Sequence, residues 1–289
     1  MDLSLRELND LKQKIDATEG KAVPAPRAVP PRGFILAEGD SWFAYPRRQL
    51  IFGAAGNVIS CLREAHKDLE FDDISSNGDE AVAMVAGEAK MDFVTRIARN
   101  HYNLILFSGG GNDLVGQYDF DFFLRRRSEV TDPLDCLIEV RVARRLGKVA
   151  SSYADLVDLV SEYSRNRGVK IVSHTYDWAI PSAAGATFWN GLIKVDQGRS
   201  WMHPYLTGKG VTDPDEQFAI VKRLLSRFAD GIKTLAAKSG GKFVVVDTQG
   251  TLPERDRNWW VNEIHPSPEG FAKIAAKIYQ AGMKSHLPD

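Results

Sequence analysis

Short apolar runs alternate with longer segments of helical periodicity along most of the chain. The strand-length runs are Phe34–Ala37, Phe71–Ser75, Asn103–Phe107, Lys170–Ser173 and Lys242–Val246. The helical segments, in which apolar side chains recur every three or four positions, lie at about 56–67, 79–99, 149–166, 215–238 and 267–283. Strands joined by helices pair in parallel through crossover connections. The pattern therefore predicts an α/β fold with a doubly wound, five-stranded parallel sheet and helices on both faces.

A separate amphipathic segment precedes this region. Its apolar side chains fall on one face of a helix, which predicts an N-terminal helix over residues 1–20. These side chains are Leu3, Leu5, Leu8, Leu11 and Ile15. The next stretch, 21–32, is rich in proline, which favours extended backbone, so it is predicted to be a semi-rigid linker. The main domain is then residues 33–289, and the N-terminal helix is a candidate surface for self-association.

Two connections in the main domain are longer than the usual two to six residues of such folds. They run from about 114 to 148 and from about 182 to 214. Both leave strand ends at the same edge of the predicted sheet. We therefore expect two insertions that fold over that edge.

Composition and charge narrow the class of partner. The chain has 44% hydrophobic and 26% charged residues and a formal net charge of −1, which is typical of a globular protein without affinity for nucleic acid. Its two cysteines, Cys61 and Cys136, lack the spacing of a zinc site or a disulfide framework. There is no apolar leader and no apolar run long enough to span a membrane. We expect a cytoplasmic protein that binds a small molecule.

Polar residues and glycines follow the predicted strands at the edge where such sheets bind ligands. Ser41 follows the first strand in "GDS", Gly78 follows the second, and Asn112 follows the third in "GGGND". His265 precedes the last helix in "NEIHP". A serine needs a nearby base to act as a nucleophile, and His265 is the histidine placed to serve it. Taken alone, Ser41 is also explained as a helix or turn cap.

In these blocks the sequence resembles the SGNH, or GDSL-type, hydrolases over about residues 33–283. The resemblance implies a flavodoxin-like sheet and a serine esterase that forms an acyl-enzyme without a metal or cofactor. It implies that Ser41 is the nucleophile and His265 the base, and that the Ser41 and Gly78 amides and the Asn112 side chain form an oxyanion hole. An acyltransferase with the same site and a catalytically silent ligand-binding module remain alternatives.

One position departs from the family pattern. The residue three before the histidine, an aspartate in the family, is Asn262 here. Loss of the aspartate in serine proteases costs about 10⁴ in rate, because the amide can favour the wrong histidine tautomer. Three interpretations remain open: Asn262 orients His265, a backbone carbonyl does so, or another carboxylate such as Glu263 reaches in.

Aromatic residues are concentrated near the same strand ends. We consider Trp42, His174, Trp178 and Trp260 as candidates for substrate contact. The alternative is that these rings pack against the two insertions. The sequence leaves both interpretations open and does not identify the substrate.

Overall fold

The protein is built around a five-stranded parallel sheet. The computed structural model describes residues 2–3, 6–7, 10, 30–45, 56–116, 119–183, 187–188, 193–195 and 200–288. The described strands are β1 Asp2–Leu3, β2 Gly33–Gly39, β3 Leu69–Asp73, β4 Leu104–Ser108, β5 Lys170–His174, β6 Thr187–Phe188, β7 Ile193–Val195 and β8 Phe243–Val246. The main sheet has the order β3-β2-β4-β5-β8. This is the flavodoxin-like order, and it confirms the predicted fold class.

Helices connect the strands and cover the sheet. Those described are α1 Ser41–Ala44, α2 Val58–Ala65, α3 Ala81–Met84, α4 Gly87–Arg99, α5 Gly111–Val115, α6 Asp119–Phe122, α7 Glu139–Tyr163, α8 His203–Gly208, α9 Pro214–Lys238 and α10 Pro268–Ile278. Short 3-10 turns lie at Arg127–Glu129, Pro133–Cys136, Arg257–Trp259 and Lys284–His286, and a π turn at Tyr279–Met283. Helix α2 packs on α10, and α7 packs on both α4 and α9. Among the described helices, none is long and apolar enough to cross a membrane.

The strands form where the sequence is apolar enough to be covered on both sides. Strand β4, in the middle of the sheet, is buried at every position. In the edge strand β3, by contrast, two buried positions are interrupted and followed by exposed or partly exposed ones. This contrast is expected of a parallel sheet whose centre lies between two helical layers. The in-register pair Gly39–Ser108 then brings the carboxyl ends of β2 and β4 side by side.

Helix α7 begins at Glu139, inside the stretch 114–148 predicted as the first insertion, and not near 149. Its buried positions keep helical spacing from Val142 through Val149 and Tyr153 to Val160, which explains why the helix does not break at the predicted boundary. Asp213 caps helix α9 by accepting the N–H of Asp215, and Pro214 occupies the first position of the helix.

The N-terminal region is only partly described. Asp2 and Leu3 form β1, which pairs in parallel with β7, so Leu3 lies in a strand at the point where the predicted helix was to start. Most of the predicted helix over 1–20 and of the linker over 21–32 lies outside the described residues. Parts of the second insertion, 182–214, also lie outside them. Cys61 and Cys136 are both buried as free thiols.

Candidate active site

Ser41 is the first residue of a short helix at the end of strand β2. Asp40 caps this helix, because its carboxylate accepts the Trp42 N–H at 3.0 Å. The cap turns the chain away from the sheet directly after Gly39. The Ser41 side chain therefore lies at the carboxyl edge of the sheet, largely buried with 8% of its surface exposed.

His265 and Asn262 complete a chain of hydrogen bonds with Ser41. The Nε2 atom of His265 lies 2.7 Å from Ser41 Oγ. On the other side of the ring, Nδ1 lies 3.0 Å from Asn262 Oδ1. Ser41 and the segment that carries Asn262 and His265 are far apart in sequence and meet at the predicted edge. The distances in this chain are those that a nucleophile, a base and an orienting group require, with an amide in the third position.

The amide of Asn262 is held in one orientation. Its oxygen accepts the backbone N–H of Ile264 at 3.1 Å and that of His265 at 2.9 Å. Its nitrogen donates to the hydroxyl of Tyr45 at 3.1 Å. Because the oxygen faces Nδ1, that nitrogen must carry the ring proton, and Nε2 is left as an acceptor facing Ser41.

The imidazole of His265 lies in apolar surroundings. Tyr45 stacks on it with ring centroids 3.9 Å apart, and Trp201 meets its edge at 5.7 Å. Burial lowers the pKa of His265 to about 3. The ring is therefore neutral, and able to accept a proton, over the whole ordinary pH range. The uncharged amide of Asn262 does not oppose this lowering of the His265 pKa, whereas a carboxylate at position 262 would raise the pKa.

Glu263 does not reach His265. Its carboxylate is fully buried and accepts backbone N–H groups of the second insertion. The donors are Ser182 at 3.0 Å, Met202 at 2.8 Å, His203 at 2.7 Å, and Trp201. Burial raises the pKa of this carboxyl although the four hydrogen bonds act in the opposite direction. Glu263 thus fastens the insertion to the loop that carries His265, and the third interpretation of the histidine partner is wrong for this residue.

The loops of Gly78 and Asn112 are tied to each other beside Ser41. The side-chain amide of Asn112 donates to the carbonyl of Asp79 at 2.9 Å. The carboxylate of Asp113 accepts the N–H of Ala81 at 2.7 Å. Gly78 has a φ of 87°, a conformation that side chains disfavour, and this turn directs the backbone across the strand end.

Gly110 makes the turn that precedes Asn112. It caps helix α5 with a φ of 103°. A Cβ atom at this position would lie 2.5 Å from the ring of Phe228. The glycine-rich sequence before Asn112 is therefore required by both backbone conformation and space.

A buried hydrogen-bond chain lies next to Ser41. Asp40 accepts from the hydroxyls of Tyr176 and of Ser108, the latter at 3.0 Å. His174 Nδ1 donates to the carbonyl of Thr175 at 2.8 Å, and its Nε2 lies 3.0 Å from Ser108 Oγ, whose single proton cannot be donated to Asp40 and His174 at once. Burial raises the pKa of Asp40 to about 7 and lowers the pKa of His174 to about 4. The chain fixes the turn that presents Ser41.

An apolar cavity opens beside Ser41. Its polar lining includes Ser41, Asn112 and Asp40. Its apolar wall consists of Trp42, Val115, Tyr176, Ala179, Leu225 and Ile264. Among the described residues, His, Cys, Asp and Glu side chains form no group of three that could hold a metal ion.

The four residues considered for substrate contact occupy different places. Trp42 lines the cavity and donates its indole N–H to the carbonyl of Ile264 at 3.0 Å. His174 stacks on the other side of Trp42 and is almost fully buried. The ring of Trp178 lies under the ammonium group of Lys222. The backbone of Trp260 forms an isolated antiparallel β-bridge with Pro266. Only Trp42 of the four borders the cavity.

Comparison with known proteins supports the fold. No family model matches the chain, and no curated protein matches it. Among solved structures, it is similar to an extracellular lipase from Streptomyces rimosus, with 14% identity, a TM-score of 0.52 and coverage of 86% of this chain and 99% of the lipase. It is also similar to a member of the lipolytic G-D-S-L family from Veillonella parvula, with 13% identity, a TM-score of 0.47 and coverage of 87% and 98%. The first of these likenesses, with a TM-score above 0.5, supports the α/β fold.

Proposed function

We propose that this protein is a serine hydrolase that cleaves a carboxylic ester through an acyl-enzyme. The observation that carries the proposal is the 2.7 Å contact between Ser41 Oγ and an unprotonated His265 Nε2. A serine hydroxyl becomes a useful nucleophile when a base at this distance can take its proton. The GDSL-type fold, which is shared with a lipase, agrees with that chemistry.

In the first half of the reaction, Ser41 Oγ forms a bond to the ester carbonyl carbon while its proton moves to His265 Nε2. Negative charge on the carbonyl oxygen is stabilised by the N–H groups of Ser41 and Gly78 and by the Asn112 amide. That amide has two N–H bonds, of which one is donated to the carbonyl of Asp79. The carbon–oxygen bond to the alcohol then breaks, and the alcohol leaves with the proton from Nε2.

In the second half, water gives a proton to Nε2 and its oxygen attacks the acyl carbon. The bond to Ser41 Oγ breaks, and the serine recovers its proton from the ring. Asn262 keeps Nδ1 protonated throughout but carries no charge to stabilise the imidazolium. We therefore infer a working but weakened version of the serine–histidine–acid arrangement.

A fluorophosphonate probe, which modifies activated serines, tests this proposal. We expect stoichiometric labelling of the wild type, none in Ser41→Ala or His265→Ala, and partial labelling in Asn262→Ala. Ser161→Ala removes a hydroxyl that donates to the carbonyl of Val157 and accepts from Lys242, and as the matched control it should label fully. Absence of labelling in the folded wild type would instead favour a ligand-binding module without catalysis.

A further inference from the structure

The hydrogen-bond chain next to Ser41 has one acceptor too many for its protons. The Nδ1 atom of His174 faces the carbonyl of Thr175 and therefore carries the ring proton, so Nε2 of a neutral ring is an acceptor. An ionised Asp40 also only accepts. Ser108 Oγ lies 3.0 Å from each of these two acceptors and has one proton to give. One of the two contacts would then bring lone pairs together.

One additional proton gives every contact in the chain a donor and an acceptor. With this proton on Asp40 Oδ1, the carboxyl donates to Ser108 Oγ, and Ser108 donates to His174 Nε2. Asp40 Oδ2 remains the acceptor for the hydroxyl of Tyr176, and Oδ1 still accepts the Trp42 N–H through a lone pair. The distances need no change, since only the direction of one hydrogen bond is reversed.

Burial decides where the additional proton resides. Asp40 and His174 are both almost completely buried. A proton on His174 would create a buried imidazolium beside a buried carboxylate, whereas a proton on Asp40 leaves both groups neutral and avoids the desolvation of two charges. Burial raises the pKa of Asp40 to about 7 and lowers the pKa of His174 to about 4, which agrees with the neutral state.

The groups around Asp40 favour the same state. The described titratable groups that face it are His174 and Tyr176 at and just after the end of β5, Asp113 on α5 and Tyr153 on α7. When Asp113 is ionised, its negative charge adds to the effect of burial on the pKa of Asp40. Within the described part of the chain, no lysine or arginine forms an ion pair with Asp40.

We propose that Asp40, Ser108 and His174 hold one additional proton at neutral pH, which keeps the carboxyl beside the oxyanion donors uncharged. Asp40 borders the cavity together with Asn112, and a Cβ atom at Gly111 would lie 3.3 Å from its Oδ2. An ionised carboxylate at this place would oppose the negative charge that develops on the substrate oxygen. The consequence for catalysis rests on the proposed function.

Infrared difference spectroscopy tests the position of the proton. The spectrum of the wild type minus that of Asp40→Asn at pH 6 should contain the carbonyl band of a protonated carboxyl, and this band should vanish as the pH rises to 9. Asp155→Asn, at an exposed position of α7, is the matched control, and its difference spectrum should contain carboxylate bands only. Carboxylate bands alone for Asp40 at pH 6 would overturn the inference.

The pH dependence of fluorophosphonate labelling tests the effect of this charge on Ser41. The probe also places negative charge at the oxyanion donors when it reacts. In the wild type the labelling rate should fall about tenfold as the pH rises through about 7, which corresponds to a charge interaction of about one pKa unit. Because an amide cannot ionise, Asp40→Asn should keep one rate from pH 6 to 9, whatever its absolute value. Asp155→Asn should repeat the wild-type fall.

A second variant removes the acceptor at the end of the chain. In His174→Phe the ring can still stack on Trp42, but the Ser108 proton is free for Asp40. This stabilises the charged carboxylate and should move the fall in labelling to lower pH. A fall at the wild-type pH, or a wild-type rate that is constant from pH 6 to 9, would contradict the inference and leave the proposed function intact. Absence of labelling at every pH would overturn the proposed function, and the infrared band would still decide where the proton lies.

Discussion

Replacing Asn262 by aspartate is expected to raise both the pKa of His265 and the rate of ester cleavage. A carboxylate at this position would face Nδ1 across the present 3.0 Å contact. Unit charges about 4 Å apart interact by about 4 kcal/mol at an effective dielectric constant of about 20, which corresponds to about three pKa units. Burial of the new carboxylate reduces this effect, so we expect a rise of about one to three units.

The rise in the pKa of His265 should change the dependence of the rate on pH. The pKa of His265 is lowered to about 3, so the wild-type ring is a competent base from mildly acidic pH upwards. In Asn262→Asp the rate should instead decline below about pH 4 to 6, and at neutral pH kcat/KM should rise by up to about 10- to 1000-fold, because the imidazolium that forms is stabilised. The Tyr45 hydroxyl, which accepts from the amide now, can rotate and donate to the carboxylate.

The assay is kcat/KM on an acetyl ester from pH 3 to 9, with product measured by chromatography and folding checked by circular dichroism at each pH. Asn258→Asp adds the same charge at an exposed position of the same segment and should leave the profile unchanged. If the acidic limb of Asn262→Asp overlays that of the wild type, or if the neutral rate falls, the electrostatic account of this site is wrong.

Three further substitutions test other contacts. Tyr45→Phe keeps the stacked ring but removes one hydrogen bond of about 0.5 to 1.5 kcal/mol, so kcat should fall by about 2- to 12-fold, and an unchanged kcat would contradict the orienting role. Glu263→Gln places N–H groups against backbone donors and should lower the free energy of urea unfolding by about 1 to 3 kcal/mol, whereas Glu64→Gln, at an exposed position, should not. Gly110→Ala should destabilise the protein and reduce activity, whereas Gly231→Ala, in an open helical position, should be neutral or stabilising; equal effects would refute the steric argument.

Much of the fold follows from local pattern in the sequence. Each predicted strand lies within a residue or two of an observed strand, because a buried parallel strand is a continuous apolar run bounded by polar residues. Helix α7 was predicted to begin near 149 but begins at Glu139, because the helical spacing of its buried side chains already starts at Val142. The strand at Asp2–Leu3 depends on pairing with residues 194–195, which no local pattern can show.

The site was predictable as a set of residues but not as a set of contacts. Ser41 and His265 were recognisable because each stands where a parallel sheet places its ligands. The orientation of Asn262 was not, since it depends on the hydroxyl of Tyr45 and on two backbone donors that become neighbours only in the folded chain. Glu263 was one of three open candidates for the partner of His265 because it is close in sequence, but its carboxylate accepts hydrogen bonds from the insertion instead.

The separation of 224 positions between Ser41 and His265 has a consequence for synthesis of the chain. Strand β2 and its serine leave the ribosome early, whereas the histidine follows β8, the last strand of the main sheet. A nascent or truncated polypeptide that ends before residue 262 has the serine but no base to activate it. Under the proposed function, we expect an activated serine only after the carboxyl-terminal segment has docked, and probe labelling would then measure completed folding.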